Sequence, residues 1–285
     1  MKKDSQNQTT FFSTELESCR QLSFVEKVNR AIRLLKDNEP KDGYHLAFSG
    51  GKDSCVIKKL ARMAGVKFDA WYSSTTIDPP ELIRFIKKFH SDVKWAMPKH
   101  GSMMHRVANK PSPPPTRLFR WCCSEYKEAE TPESKGRLKI FGVRAAESKA
   151  REARWKEVVL DVGKFSAICP IVYWTDGDVW KFIRQYKVDY CSLYDEGWTR
   201  LGCVGCPLAS RDTQKKEFAR WPAFERNWKN AIVKSWEKWH DKKNRKGETR
   251  FHSKFKSGEE LWQWWLNEKK TKRHGHGLPA NASLD

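Results

Sequence analysis

No cysteine follows Cys206 in this chain, no stretch repeats at a recognisable period, and no apolar run approaches the length of a membrane span. The opening MKKDSQNQTT has no apolar stretch behind it long enough for a secretory leader, so the expected protein is soluble and cytoplasmic, without a membrane partner. Acidic charge is also scarce. Asp and Glu number 35 against 55 Lys and Arg, a formal net charge of +20, which favours polyanions such as nucleic acid or phosphorylated small molecules without choosing between them. The cysteines present are Cys19, Cys55, Cys122, Cys123, Cys169, Cys191, Cys203 and Cys206. In a reducing compartment their clustering points to metal or redox chemistry rather than to structural disulfides.

The first residues are polar, and ELESCRQLSFVEKVNRAIRLLKDN then sets Leu22, Val25, Val28, Ile32 and Leu35 at helical spacing, ended by Pro40 and Gly43. YHLAFSG reads as a buried strand, SCVIKKLARMAG as a helix closed by Gly65, and VKFDAWYSS as a second strand. Pro79 and Pro80 introduce the helix ELIRFIKKFH, and DVKWAM is a third strand. This alternation predicts an α/β fold, a parallel sheet with helices on both faces. Pro98 to Arg120, with PSPPP inside it, reads as a loop, a lid or a binding edge. GRLKIFGVR restores a strand, and TDGDVWKFIRQY is a helix opened by a Thr or Asp cap. Past Ser210 the composition shifts. Residues 211–275 hold 19 basic and 9 acidic side chains, interleaved with Trp221, Trp228, Trp236, Trp239, Trp262, Trp264 and Trp265.

HLAFSGGKDS carries the first chemistry. A strand that ends in Ser49, Gly50 and Gly51 and enters a helix at Ser54 sets several backbone N–H groups at a helix N-terminus, where the dipole favours an anion. The glycines permit close backbone approach, Lys52 adds a point charge, Ser49 and Ser54 offer hydroxyls, and Asp53 suits Mg²⁺ beside a pyrophosphate. The plain alternative is a glycine turn joining strand to helix. Walker-type spacing, with four residues between its glycines, is absent. SGGKDS instead resembles the PP-loop of ATP pyrophosphatases, which implies ATP cleavage between the α and β phosphates while an acceptor is adenylylated.

Cys122 and Cys123 in RWCCSEYK, with Cys203 and Cys206 in RLGCVGCP, would supply four thiolates if the fold brings them together. That set suits zinc or a cubane iron–sulfur cluster. A CxxC turn aims two sulfurs at one zinc, whereas neighbouring cysteines direct their side chains apart and suit separate iron corners. A thiol redox pair at CxxC is a further reading, but leaves the vicinal pair unexplained. Arg117, Arg120 and Lys127 flank that pair and suit an anionic substrate, a raised cluster potential, or solvent. Cys55 reads as a small buried residue and Cys191 as a weaker candidate for carrying a persulfide.

The succession CC, then Gly-x-Arg at Gly142 and Arg144, then WTDGDVW, then LYDEGWTRLGCVGCP, resembles the phosphoadenosine phosphosulfate (PAPS) reductase family from about Tyr44 to Pro207. The resemblance implies an adenine nucleotide alpha hydrolase-like fold and a catalytic set of Lys52, Asp53 and Arg144. Ser49, Gly50, Gly51, Ser54 and Gly142 would complete the nucleotide site. It also implies that Cys122, Cys123, Cys203 and Cys206 ligate a [4Fe-4S] cluster, as in the adenylylsulfate-reducing members. Sulfonucleotide reductases, however, have a degenerate phosphate loop and a nucleophilic cysteine in a mobile tail. Here the loop is intact, SSTTIDPPEL replaces their DTG-like element, and the tail cysteine is missing. This combination resembles the family's ATP pyrophosphatases of sulfur insertion, such as those of DNA phosphorothioation or tRNA thiolation.

That resemblance implies ATP and Mg²⁺ as cofactors, a nucleotide or nucleic acid (DNA or tRNA) as acceptor, and a sulfur donor such as a cysteine desulfurase. The alternatives are thiol-dependent reduction of PAPS or adenylylsulfate, and a non-catalytic nucleic-acid-binding or regulatory protein. The expected organisation is a helical segment at 1–40, the PP-loop domain with its cysteine segments at 41–210, and a basic, Trp-rich helical extension at 211–285. That extension fits a nucleic-acid acceptor, because cations hold phosphates and aromatic faces stack on bases. Equally, Ile232, Trp236 and Trp239 have helical spacing and suit the core of an added helical layer.

Overall fold

Ser23 and Glu26 form a reciprocal capping box that starts helix α1 (Phe24–Asp37), whose Phe24, Val28, Ala31 and Leu35 are buried. Ser18, Cys19 and Gln21 are helical as well, so the expected helix is interrupted at Leu22 and Ser23 and restarted by the cap. In this computed structural model residues 18, 19, 21–159 and 166–267 are described. The expectations for residues 1–17 and 268–285 lie outside them.

Strand β1 (Tyr44–Ala47) runs into α2 (Lys52–Ala64), which Gly65 closes in the left-handed region at φ +70. Then come β2 (Phe68–Ser73), α3 (Pro80–Phe89), β3 (Lys94–Ala96) and α4 (Met103–Asn109). After a π-helical turn at Cys123–Lys127 follow β4 (Lys139–Ile140), α5 (Lys149–Arg154), β5 (Val158–Val159), β6 (Ala167–Ile168) and α6 (Asp176–Gln185). Thr175 and Asp178 make a second capping box at the start of α6. The chain continues through α7 (Arg211–Arg220), α8 (Pro222–Trp239) and α9 (Gly258–Asn267).

The result is an α/β fold with a six-stranded sheet in the order β3-β2-β1-β4-β6-β5, parallel throughout except for β5 against β6. The fourth strand is shorter than GRLKIFGVR suggests. Only Lys139 and Ile140 pair with His45 and Leu46, while the Phe141 N–H still donates to the Ile168 carbonyl of β6 at 3.0 Å. The stretch from Pro98 to Arg120 is not loop throughout. Ser102 caps α4 through its hydroxyl, and buried Met103 and Val107, four residues apart, give that helix an inner face. No helix among the described residues is long and apolar enough to cross a membrane.

The chain divides into two compact units. One comprises the residues up to Ser73, Pro80–Ala96 and Glu130–Gly202 and carries the sheet; the other comprises Ser74–Pro79, Met97–Ala129 and the residues from Cys203 onward. The core of the second unit is aromatic. Trp228 and Trp262 each stack on Trp265, at 4.8 and 5.4 Å between ring centroids. The Trp265 Nε1–H donates to the Pro115 carbonyl at 2.8 Å. Trp221, Trp228, Trp262 and Trp265 are buried, whereas Trp236, Trp239 and Trp264 are half-buried.

Candidate active site

In the sheet β1 lies between β2 and β4, so the connections leaving β1 and β4 diverge at the carboxyl edge, where open α/β sheets form a crevice. The first connection is the loop Ser49 to Ser54, and the second carries Gly142 and Arg144. Gly50 turns the loop at φ +74, and a Cβ there would lie 2.8 Å from both Leu82 Cδ1 and Ile86 Cδ1. Only glycine fits. Gly51 is the N-cap of α2 at an ordinary φ of −73 and offers no capping side chain, which leaves first-turn N–H groups facing the crevice.

One of those groups has an internal acceptor. The Lys52 N–H donates to the Tyr194 hydroxyl at 3.0 Å, and the Lys52 ammonium lies 5.4 Å from the centre of the same ring. The Lys52 side chain is buried. Its Nζ donates to the Thr199 carbonyl at 3.2 Å and stands 3.2 Å from Asp176 and 3.8 Å from Asp53. Arg144 bridges the same two carboxylates, with Nε 2.6 Å from Asp53 Oδ1 and Nη2 3.0 Å from Asp176 Oδ1. Gly142 permits that reach, since a Cβ there would press to 3.1 Å on the Asp53 backbone. Ser54 donates to the Gly51 carbonyl at 2.8 Å, so its hydroxyl serves the loop itself.

Arg151 and Arg200 join this group. Burial depresses the Arg151 pKa, and the charges on Arg200 and Arg144 add to that while Asp53 opposes it. Arg151 also pairs with Glu147. The excess of cations over carboxylates suits a ligand with several negative charges, and guanidinium groups grip phosphate oxygens in pairs. Lys52, Asp53, Arg144, Gly142 and the loop from Ser49 to Ser54 are thus brought together. Tyr194, Thr199, Asp176, Arg151 and Arg200 had no assigned role in the sequence reading. Asp176 and Tyr194 do lie within WTDGDVW and LYDEGW, the stretches that carried the resemblance.

The four candidate cluster cysteines lie in the second unit. Cys123 opens the π-helical turn, and the Cys122 thiol donates to it. That bond, with Arg120 Nη2 at 3.5 Å from the Cys123 sulfur, lowers the Cys123 pKa. The Cys122 thiol is pushed up by the same bond, then by burial and by the nearby Cys206 and Cys203. Burial also pushes the Cys203 thiol up to about 12. The sulfurs are therefore close enough to influence one another. Among the described residues, however, no three His, Cys, Asp or Glu side chains stand in a metal-ligating arrangement. Arg117 donates to the Leu208 carbonyl at 2.7 Å. Cys55 and Cys191 are buried, each 1% exposed.

The turn between Cys203 and Cys206 is held by the helices that follow. The Gly205 N–H donates to Glu217 at 2.8 Å, Gln214 donates to the Gly205 carbonyl at 3.2 Å, and Trp228 Nε1–H donates to the Val204 carbonyl at 3.0 Å. Gly205 has φ +74, and a Cβ there would lie 2.7 Å from the Phe218 ring and 2.8 Å from Trp228 Nε1.

Residues 43–209 match the model of the phosphoadenosine phosphosulfate reductase domain. The chain belongs to this family. It is 27% identical over 205 residues to a Caenorhabditis briggsae protein named "Probable FAD synthase", an alignment covering 67% of this chain and 36% of that one. It is 37% identical over 59 residues to adenosine 5'-phosphosulfate reductase 2 of Bacillus subtilis, covering 21% of this chain and 25% of that one. The chain thus spans less than half the length of these curated relatives. A crystal structure of phosphoadenylyl-sulfate reductase from Candida auris superposes with a TM-score of 0.50 at 16% identity, over 68% of this chain and 95% of the other, a likeness of fold. The match to the phosphoadenosine phosphosulfate reductase domain ends at residue 209, so α7 and α8 lie beyond it. Their Gln214, Glu217 and Trp228 nevertheless fix the backbone between two cysteines of the domain.

Proposed function

We infer that this protein binds ATP and Mg²⁺ at the loop Ser49 to Ser54 and adenylylates an oxygen of a nucleic acid or nucleotide, preparing that position for sulfur. The observation that carries the reading is the intact loop: a glycine-turned helix N-terminus with Lys52 and Arg144 locked onto Asp53 and Asp176. In this chemistry the acceptor oxygen attacks the α-phosphorus and pyrophosphate departs. A sulfur nucleophile then displaces AMP. First-turn N–H groups of α2 hold phosphate oxygens, and Arg144 and Lys52 exchange their carboxylate partners for the charge developing on pyrophosphate. Asp53 and Asp176, so released, are the carboxylates suited to Mg²⁺.

Cys122, Cys123, Cys203 and Cys206 would be the donors for a [4Fe-4S] cluster, since four thiolates are the number one takes, although their side chains do not stand in a ligating arrangement here. When bound it would supply a site for sulfur or electrons. The chain's own contribution is to brace the CxxC turn through Glu217, Gln214 and Trp228 and to set Arg120 beside Cys123.

A second reading, adenylyl transfer to a flavin mononucleotide, is favoured by the relative named as a FAD synthase. It shares the ATP half-reaction and differs in acceptor. The deciding experiment is an anaerobic assay of pyrophosphate release from ATP with DNA, RNA or flavin mononucleotide supplied in turn, the adenylyl group being followed as AMP when sulfide is added to the nucleic-acid reactions and as FAD in the flavin reaction. Stimulation by nucleic acid supports the first reading, and stimulation by the flavin alone replaces it with the second. Sulfite release from PAPS with a thiol, without pyrophosphate release from ATP, overturns both. Lys52→Ala abolishes ATP turnover on either reading, and unchanged turnover refutes the assignment of the loop.

A further inference from the structure

In the second unit, an open groove of about 570 Å³ runs along α4, lined by Lys99, His100, Gly101, Ser102, His105, Arg106, Asn109 and Lys110. No carboxylate lines it. Arg106 is committed elsewhere, with Nε and Nη2 each donating to Glu125 at 2.7 Å, Nη1 donating to Ser112 at 2.8 Å, and Cζ 4.2 Å from the Trp121 ring centre. It forms a rigid wall. Lys99, His100, His105 and Lys110 are exposed and supply the groove's chemistry.

Asn109 fixes how the groove presents itself. Its Oδ1 accepts from the Lys238 ammonium of α8 at 3.0 Å, so its amide nitrogen points the other way and donates to the His105 carbonyl at 3.0 Å and to His105 Nδ1 at 3.3 Å. A neutral His105 whose Nδ1 accepts must carry its proton on Nε2, a second donor for the groove. The basic track also continues past Asn109. Lys238 leads to Trp239, whose ring has Lys238, Lys242 and Arg250 at 5.5, 5.3 and 5.2 Å from its centre. With cations ranged about it, Trp239 is an electrostatic anchor rather than an open platform for a base.

We propose that this track, from Lys99, His105 and Lys110 across Lys238 to Lys242 and Arg250, binds the phosphodiester backbone of a polynucleotide strand. A single phosphate would engage one end only, whereas donors spread along a groove and onto the next helix match a ligand with repeating charge. The grip on backbone rather than bases makes the binding sequence-independent and strongly salt-dependent. The proposal rests on the nucleic-acid acceptor of the reading above, but its test does not.

The test measures anisotropy of a fluorescein-labelled oligonucleotide of about 20 nucleotides with the full chain and no ATP, across a salt series. Replacing Lys99, His105 and Lys110 together by alanine should weaken binding at least about tenfold and reduce the slope of log affinity against log salt by roughly 2, one unit per lost lysine contact. Arginine at 99 and 110, with His105 retained, should restore both. Unchanged affinity and slope in the triple variant overturn the proposal. So does displacement of the oligonucleotide by inorganic phosphate at equal phosphate concentration, which marks a simple anion site. The same titration on Lys52→Ala separates the two claims: retained binding without ATP turnover leaves the track standing whatever the fate of the adenylylation reading.

Discussion

The two glycines of the phosphate loop look alike in sequence and differ in what alanine would do to them. At Gly50 the backbone is left-handed, at φ +74, which costs a residue with a Cβ about 1–2 kcal/mol. Its Cβ would also sit 2.8 Å from Leu82 Cδ1 and Ile86 Cδ1, side chains that are 1% and 0% exposed and have no room to retreat. Overpacking of this kind costs a further 1–3 kcal/mol or so, giving about 2–5 kcal/mol for Gly50→Ala. At Gly51 the φ of −73 is ordinary, and a Cβ would meet Ser49 Oγ and Tyr194 Oη at 3.4 Å, a contact that small shifts absorb. Gly51→Ala should therefore cost about 1 kcal/mol or less, the scale of an N-cap change. Urea unfolding of both variants measures the difference, and ATP affinity measured alongside should fall further for Gly50→Ala. Equal losses of stability, or a greater loss at Gly51, would refute this account of the loop.

Tyr194→Phe frees the Lys52 N–H from its internal acceptor, so ATP should bind about 2- to 10-fold more tightly, the worth of one modest hydrogen bond; weaker binding in calorimetry would mean that the hydroxyl itself holds phosphate. Burial, with the charges on Arg250 and His240 adding, lowers the His252 pKa from its ordinary 6.5 to about 4, so the folded chain favours the neutral ring. The stability this contributes is complete above about pH 6.5 and is lost as pH falls towards 4. Between pH 7 and 4.5 His252→Gln should thus lose about 2–3 kcal/mol less unfolding free energy than the parent chain. Identical pH profiles would count against it.

The phosphate loop and its strand-to-helix setting were legible because glycine, charge and hydroxyl occur there at fixed spacing and local geometry decides their use. Arg144 was legible only as part of a motif. Its two hydrogen bonds, to Asp53 and to Asp176, join residues 91 and 32 positions apart in the chain, and no local pattern encodes such a meeting. Tyr194 and Thr199 were missed for the same reason. Tyr194 acts through a hydroxyl on a backbone N–H, and Thr199 through its carbonyl, a group every residue owns. In the stretch from Pro98 to Arg120, prolines at 111–115 dominated the reading and hid α4, which needs only Ser102 as a cap and two apolar residues four apart. Tryptophan was the most ambiguous signal, since the same ring serves a core or a nucleic-acid surface.

Trp228 resolves that ambiguity for its own position. It is 1% exposed, stacks on Trp265, and its Nε1–H meets the Val204 carbonyl between Cys203 and Cys206. Trp228→Phe keeps an aromatic ring but removes the donor, strands a buried carbonyl and leaves a small void, at a combined cost of about 2–4 kcal/mol. The loss should fall on the CxxC turn first, because Val204 itself is buried and the turn's other braces, Glu217 and Gln214, act on Gly205. Alkylation of Cys203 and Cys206 in the metal-free chain should accordingly quicken, while oligonucleotide affinity at fixed salt stays that of the parent. A base-stacking role predicts the reverse, weakened oligonucleotide binding with unaltered thiol reactivity. With the proposed strand-binding track, the basic extension would have two separable tasks, an aromatic interior that shapes the cysteine turn and a cationic exterior at Lys238, Lys242 and Arg250, and substitutions at Trp228 and at Lys242 should perturb them one at a time.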